Sequence, residues 1–117
     1  MASLNTPEVE RAIEMIEKGN YLEAQKLLMP LAESGNPKAL CNLANLYHFG
    51  WGVLIDGEKA IELYSKVAQQ NIREEHLSSL ACRNLATIYT TGLPDIQPDP
   101  KKAADFSARA NELGFEM

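Results

Sequence analysis

Basic side chains are in short supply in this sequence, with 11 Lys and Arg against 16 Asp and Glu and a net charge of −5. Phosphate backbones and anionic lipid heads need clustered positive charge, so neither a nucleic acid nor a membrane surface is an expected partner. Long apolar runs are missing as well. The stretch Leu27 to Leu31 falls far short of the ~20 residues that a membrane span needs, and Pro30 interrupts it. The segment Met1 to Pro7 has neither a basic region nor an apolar stretch, and Glu8, Glu10 and Glu14 do not suit a transit peptide, so the cytoplasm is the expected address. Cysteine is too scarce for a disulfide framework: Cys41 and Cys82 stand alone inside helical patterns and are read as reduced thiols. What remains is an ordinary globular composition, 45% apolar and 23% charged, on a chain sized for one domain over residues 1–117.

No stretch alternates strictly between polar and apolar residues, whereas apolar residues recur at three- and four-residue spacing almost throughout. The chain therefore reads as all helix. Short polar acceptors mark six starts, at Thr6, Asn20, Asn36, Asp56, Asn71 and Asp99, three of them followed by proline. Gly19, Gly35, Gly50, Gly92 and Gly114 mark the stops, because a helix commonly closes on a left-handed residue. The expected helices are Pro7–Lys18, Tyr21–Ser34, Pro37–Phe49, Gly57–Gln70, Ile72–Thr91 and Pro100–Leu113. Pro30 falls inside the second, where a kink or a restarted turn is expected.

The sequence also repeats itself. A shift of 42 residues superposes Asn42-Leu43-Ala44 on Asn84-Leu85-Ala86, Tyr47 on Tyr89 and Gly50 on Gly92. A shift of 43 matches Asp56 with Asp99 and Lys59-Ala60 with Lys102-Ala103, and a shift of 36 lays Gly35 on Asn71. Small residues at Ala39, Ala44, Ala60 and Ala68 allow close approach of helices, while Leu43, Leu46, Tyr47, Tyr64 and Val67 fill the seams. The expected fold is an α/α helical-hairpin repeat solenoid of three stacked hairpins: residues 7–35, a full repeat at 37–71 and a degraded one at 72–114.

The run from Ala39 to Ala68, with its Gly50-x-Gly52-Val53 loop followed by Asp56 and Lys59-Ala60, resembles a Sel-one-like repeat, a relative of the tetratricopeptide repeat. Leu31 to Asn36 resembles the half-repeat that often precedes a first full unit. Ala81 to Gly114 resembles a second unit that lacks the second glycine and the valine of the loop and carries Ser107 where the first has Tyr64. The resemblance implies that the first helix of each hairpin lines a concave side.

Catalytic and metal-binding patterns are weak. Cys41 and His48 share a helix face but stand ~10 Å apart along it, too far for a thiolate–imidazole pair. His76 beside Glu74 and Glu75 is not chelating geometry on a helix, because adjacent residues diverge by about 100°. Asp95-x-Gln97-x-Asp99 imitates the start of a calcium loop, but Pro100 and Phe106 occupy the positions of its glycine and glutamate, so Asp99 reads as a helix cap. No cofactor or metal is expected, and no enzyme.

Surfaces carry the functional expectation. On the third helix Lys38, Asn42, Asn45 and Phe49 form a mostly polar stripe; Leu80, Asn84, Thr87 and Thr91 are their equivalents on the fifth, and Arg11, Glu14 and Lys18 on the first. The stripe is either a ladder that receives a peptide or a partner's loop, or a solvated helix face. Trp51 is either an exposed anchor or packing against the adjacent hairpin, packing being the preferred reading. The expected function is non-catalytic binding of another protein or peptide on the concave face. Two alternatives stand beside it: an immunity-type inhibitor of a cognate toxin, and a subunit that self-associates through its solenoid ends, with Phe115 and Met117 at one of them.

Overall fold

A computed structural model describes residues 6–114. It contains α1 (Pro7–Glu17), α2 (Tyr21–Glu33), α3 (Pro37–Phe49), α4 (Gly57–Ala68), α5 (Leu77–Thr91) and α6 (Pro100–Glu112), with a short 3-10 turn at Glu74–His76. The fold is all-α. Consecutive helices pair as the hairpins α1–α2, α3–α4 and α5–α6, which stack in chain order through α2 on α3 and α4 on α5. The first helices touch across hairpins, α1 with α3 and α3 with α5, and among the described residues the second helices do not. The array therefore bends with α1, α3 and α5 on its inner side.

Four of the six expected caps form. Thr6, Asn36, Asp56 and Asp99 each accept a hydrogen bond from the backbone N–H three residues on, supplying a partner that the first turn lacks. Asn20 makes no such bond. All five expected stop glycines adopt positive φ. Pro30 lies within α2 without dividing it, on the exposed side, so the restarted turn expected there does not occur.

The fifth helix starts five residues later than expected. Asn71 is not its cap: at φ 55° it is the left-handed residue that ends the preceding hairpin, the role Gly35 plays 36 residues earlier. Glu75 and His76 also turn left-handed, and α5 begins only at Leu77. The buried Ser78 hydroxyl holds this turn by donating to the Val67 carbonyl at 2.7 Å while accepting from the Ile72 N–H at 2.6 Å.

The seams are filled as the small-and-bulky pattern requires. Ala39, Ala44 and Ala60 are fully buried, as are Leu46, Tyr64 and Val67. The loop of the last repeat also ties hairpins together. Leu93 and Ile96 pair across a tight turn, and Asp95 between them reaches the start of α4, accepting from the Gly57 N–H at 2.9 Å and the Glu58 N–H at 3.1 Å. Burial is the largest single influence on Asp95 and opposes its ionisation, but these two bonds together with one from its own N–H outweigh it and leave the carboxyl below its ordinary range. Gly57 makes the approach possible, because a Cβ there would fall on Ile96 and Asp95.

Candidate functional site

The inner side of the array carries a groove of about 470 Å³ between α1, α3 and α5. Its polar wall comes from α3, where Lys38, Asn42 and Asn45 point into it, and from Asn84 on α5. Apolar side chains complete it: Ile13 on α1, Leu77 and Leu80 on α5, and on α3 the edge of the mostly buried Cys41 and, at the far end, Phe49. At the near end Lys38 Nζ binds both carboxylate oxygens of Glu75, at 3.0 and 3.1 Å. No other charged residue lines the groove, so its net charge is close to zero.

Six residues of the expected stripe thus come together: Lys38, Asn42, Asn45, Phe49, Leu80 and Asn84. Thr87 and Thr91 lie outside the lining, exposed on α5 with their hydroxyls donating to the carbonyls of Arg83 and Thr87. On α1 the residue that enters is Ile13, not Arg11, Glu14 or Lys18. Ile13, Leu77, Glu75 and Cys41 also line it and lie outside the expected stripe. Aligning Gly19 with Gly50 sets Ile13 on Ala44, on the side opposite the stripe, and the 3-10 turn that brings in Glu75 leaves no proline or glycine signature.

Trp51 is packed. Its half-buried ring stacks on Tyr21 from α2, with centroids 5.7 Å apart, and on Phe49, 4.9 Å away. The stack continues from Phe49 to His48 at 4.2 Å, and His48 meets Tyr64 edge-on at 5.8 Å. Gly52, at φ 75°, lets the loop close against α2, since a Cβ there would strike that of Tyr21.

Behind the groove lies a buried hydrogen-bonded chain. Tyr64 donates its single proton to Asn45 Oδ1 at 2.5 Å, so toward His48 it can only accept; the hydrogen in the 3.1 Å contact therefore sits on His48 Nδ1. Burial holds the imidazole below its ordinary range and raises the Tyr64 phenol, with the neighbouring Cys41 adding to the latter. The chain orients Asn45: its carbonyl faces Tyr64, and its amino group is left for the groove. Asn42 is oriented the other way, its Nδ2 donating to the Lys38 carbonyl at 2.8 Å and its Oδ1 left over.

Neither cysteine is an activated nucleophile. Burial pushes the Cys41 thiol up to about 12, and the Cys82 thiol is raised by burial against the weaker pull of Arg109. His48 Nδ1 is committed to Tyr64 rather than to either thiol. Among the described residues no group of three His, Cys, Asp or Glu side chains is placed to hold a metal, and no helix is long and apolar enough to cross a membrane.

The Sel1 repeat model matches residues 37–72 and 79–115, the two units that carry α3–α4 and α5–α6. No curated protein and no solved structure matches the chain. Sel1 repeats are generally protein–protein interaction modules and typically non-catalytic. With two such units spanning most of its length and folded as stacked helical hairpins, the chain belongs to the Sel1 repeat family.

Proposed function

We propose that the protein is a binding module whose concave groove, between α1, α3 and α5, receives another protein. The observation that carries this reading is the convergence of three asparagine side chains with five apolar ones in one groove on the inner side of the array. A solvated helix face has no reason to gather Ile13, Leu77, Leu80 and Phe49 around amides, whereas an interface core does. The groove holds one neutralised ion pair, so recognition rests on shape and hydrogen bonding rather than on charge.

The test is affinity capture from a lysate of the native host with mass spectrometry, run in parallel with the Asn42→Ala/Asn84→Ala double variant. Both asparagines are half-buried at the groove wall, and neither belongs to the chain from His48 to Asn45. The expected result is a specific protein retained by the parent and lost by a variant that unfolds at the same temperature. Retention by both would place the contact elsewhere on the molecule.

A further inference from the structure

Among the described residues the most exposed large apolar side chain is Leu54, at 90%. It stands on the loop that joins α3 to α4, beside a depression of about 480 Å³ that it lines together with Phe49, Val53, Ile55 and Pro94, the last from the loop between α5 and α6. Phe49 and Ile55 are 48% and 40% exposed. A single leucine facing water means little, but three large apolar side chains on one patch gain by being covered. The loops cannot fold the patch away. The Asp56 N–H donates to the Tyr47 carbonyl at 3.0 Å, Leu93 and Ile96 pair across Pro94, and Gly50, at φ 71°, leaves room for the Ile55 side chain that a Cβ would strike.

Charge and shape together identify what covers it. No charged side chain lines the depression. The carboxylates in its two loops that come nearest in sequence, Asp56 and Asp95, are spent on the first turn of α4, where they accept from the N–H groups of Lys59, Gly57 and Glu58. A chain of net charge −5 repels its own copies over most of its surface, and an uncharged patch is where two of them can approach. The shape is self-complementary, because a protrusion and a depression share one patch. About a two-fold axis the Leu54 of each copy enters the depression of the other, and the same contact made twice closes the assembly at two chains. Leu54 is also a wall of the depression it would fill on the other copy, so the two Leu54 side chains meet across the axis.

We infer that a second copy of this chain covers the patch, in a two-fold dimer formed through the loop edge of the array and centred on Leu54. The dimer is weak, since each copy brings five apolar side chains against the about 20–30 residues a side of a standard interface, and its dissociation constant is on the order of 100 µM. Phe49 lines both the depression and the concave groove, so pairing sets the grooves of the two copies beside one another at the interface. A partner offering two contact points would then be held by both at once. The pairing itself does not depend on what the groove binds.

The experiment is sedimentation velocity with light scattering on the full-length chain from ~10 µM to ~1 mM, a range that brackets the expected constant. The mass should climb from one chain toward two and no further. Leu54→Ser, at a position that faces water, should keep the thermal midpoint of the parent and weaken the dimer tenfold or more. Leu54→Asp and Leu54→Lys should each stay monomeric alone and form a one-to-one pair when mixed, because their side chains face each other across the axis. Added salt should tighten the parent dimer by screening the repulsion between two acidic chains. Amide exchange at the two ends of the concentration range needs no variant and should show the added protection on Val53, Leu54 and Ile55. A single-chain mass throughout, a dimer indifferent to Leu54→Ser, weakening by salt, or growth beyond two chains would overturn the inference. So would Leu54-dependent capture of a different protein by a chain that stays monomeric, which makes that protein the occupant of the patch.

Discussion

Among individual residues, Tyr64 has the most consequences for its size. Its hydroxyl accepts from one buried partner and donates to another, so Tyr64→Phe leaves Asn45 Oδ1 and His48 Nδ1 without their bonds. The expected cost is ~1–3 kcal/mol, measured by urea denaturation. The direction of the chain is itself testable, since nitrogen chemical shifts should show His48 as the Nδ1–H tautomer near neutral pH; the Nε2–H form would reverse the polarity argued for Asn45. Because burial lowers the folded-state pKa of His48, the unfolded chain takes up a proton more readily than the native one. Stability is therefore full above the unfolded value of about 6.5 and declines as pH falls through and below it. A urea midpoint that drops between pH 7.5 and 5.5, and drops less in His48→Gln, is the expected outcome. Cys41, its thiol pushed up to about 12, should react with a thiol reagent only on unfolding, and fast native labelling would contradict its burial.

Elements are held by bonds of two kinds, and only one kind was legible in the sequence. Local caps were: Thr6, Asn36, Asp56 and Asp99 each precede a helix that their side chains then cap. Bonds that join one repeat to another were not. Asp95 looked like part of a metal-loop imitation, yet it supports the start of α4, 37 and 38 residues away in sequence. Asp95→Ala should cost ~0.5–2 kcal/mol, as loss of a helix cap does. Gly57→Ala should act in the same direction, by pushing the Leu93–Ile96 turn off α4 rather than by straining a positive φ. Equal thermal midpoints for Asp95→Ala and the parent would remove this link. The late start of α5 has a similar origin, because Glu75 and His76 adopt a left-handed backbone that sequence assigns to glycine or asparagine. Asn71 carried both signals, a cap before Ile72 and the counterpart of Gly35, and the structure uses the second.

Across the whole molecule, the two matched units differ most where the first is covered by a following hairpin and the second is exposed. Cys41 and His48, buried where α3 is covered, correspond at a shift of 42 to Arg83 and Thr90, both exposed on α5. Tyr64 corresponds at a shift of 43 to the exposed Ser107, and the aromatic role passes to Phe106, which stacks on Tyr89 at 5.9 Å. The face that Arg83, Thr90 and Ser107 share is polar, and among the described residues no further hairpin packs on it. The expectation that Phe115 and Met117 stand at a self-associating end of the solenoid falls on residues outside the described ones. Three hairpins bury one continuous core, so a chain ending at residue 71 should lose cooperative unfolding altogether. The groove was legible only in part for the same reason the repeats were. Residues 42 apart superpose, which finds Asn42 with Asn84, but α1 does not follow that register, and aligning Gly19 with Gly50 sets Ile13 on the core position of Ala44. Where a partner touches the molecule decides whether the concave groove is the binding face. Amide exchange of the full chain with and without its captured partner measures this directly. Protection concentrated on α3 and α5 around Asn42, Asn45, Leu80 and Asn84 is the predicted result, and protection confined to α2, α4 and α6 on the outer side would contradict it.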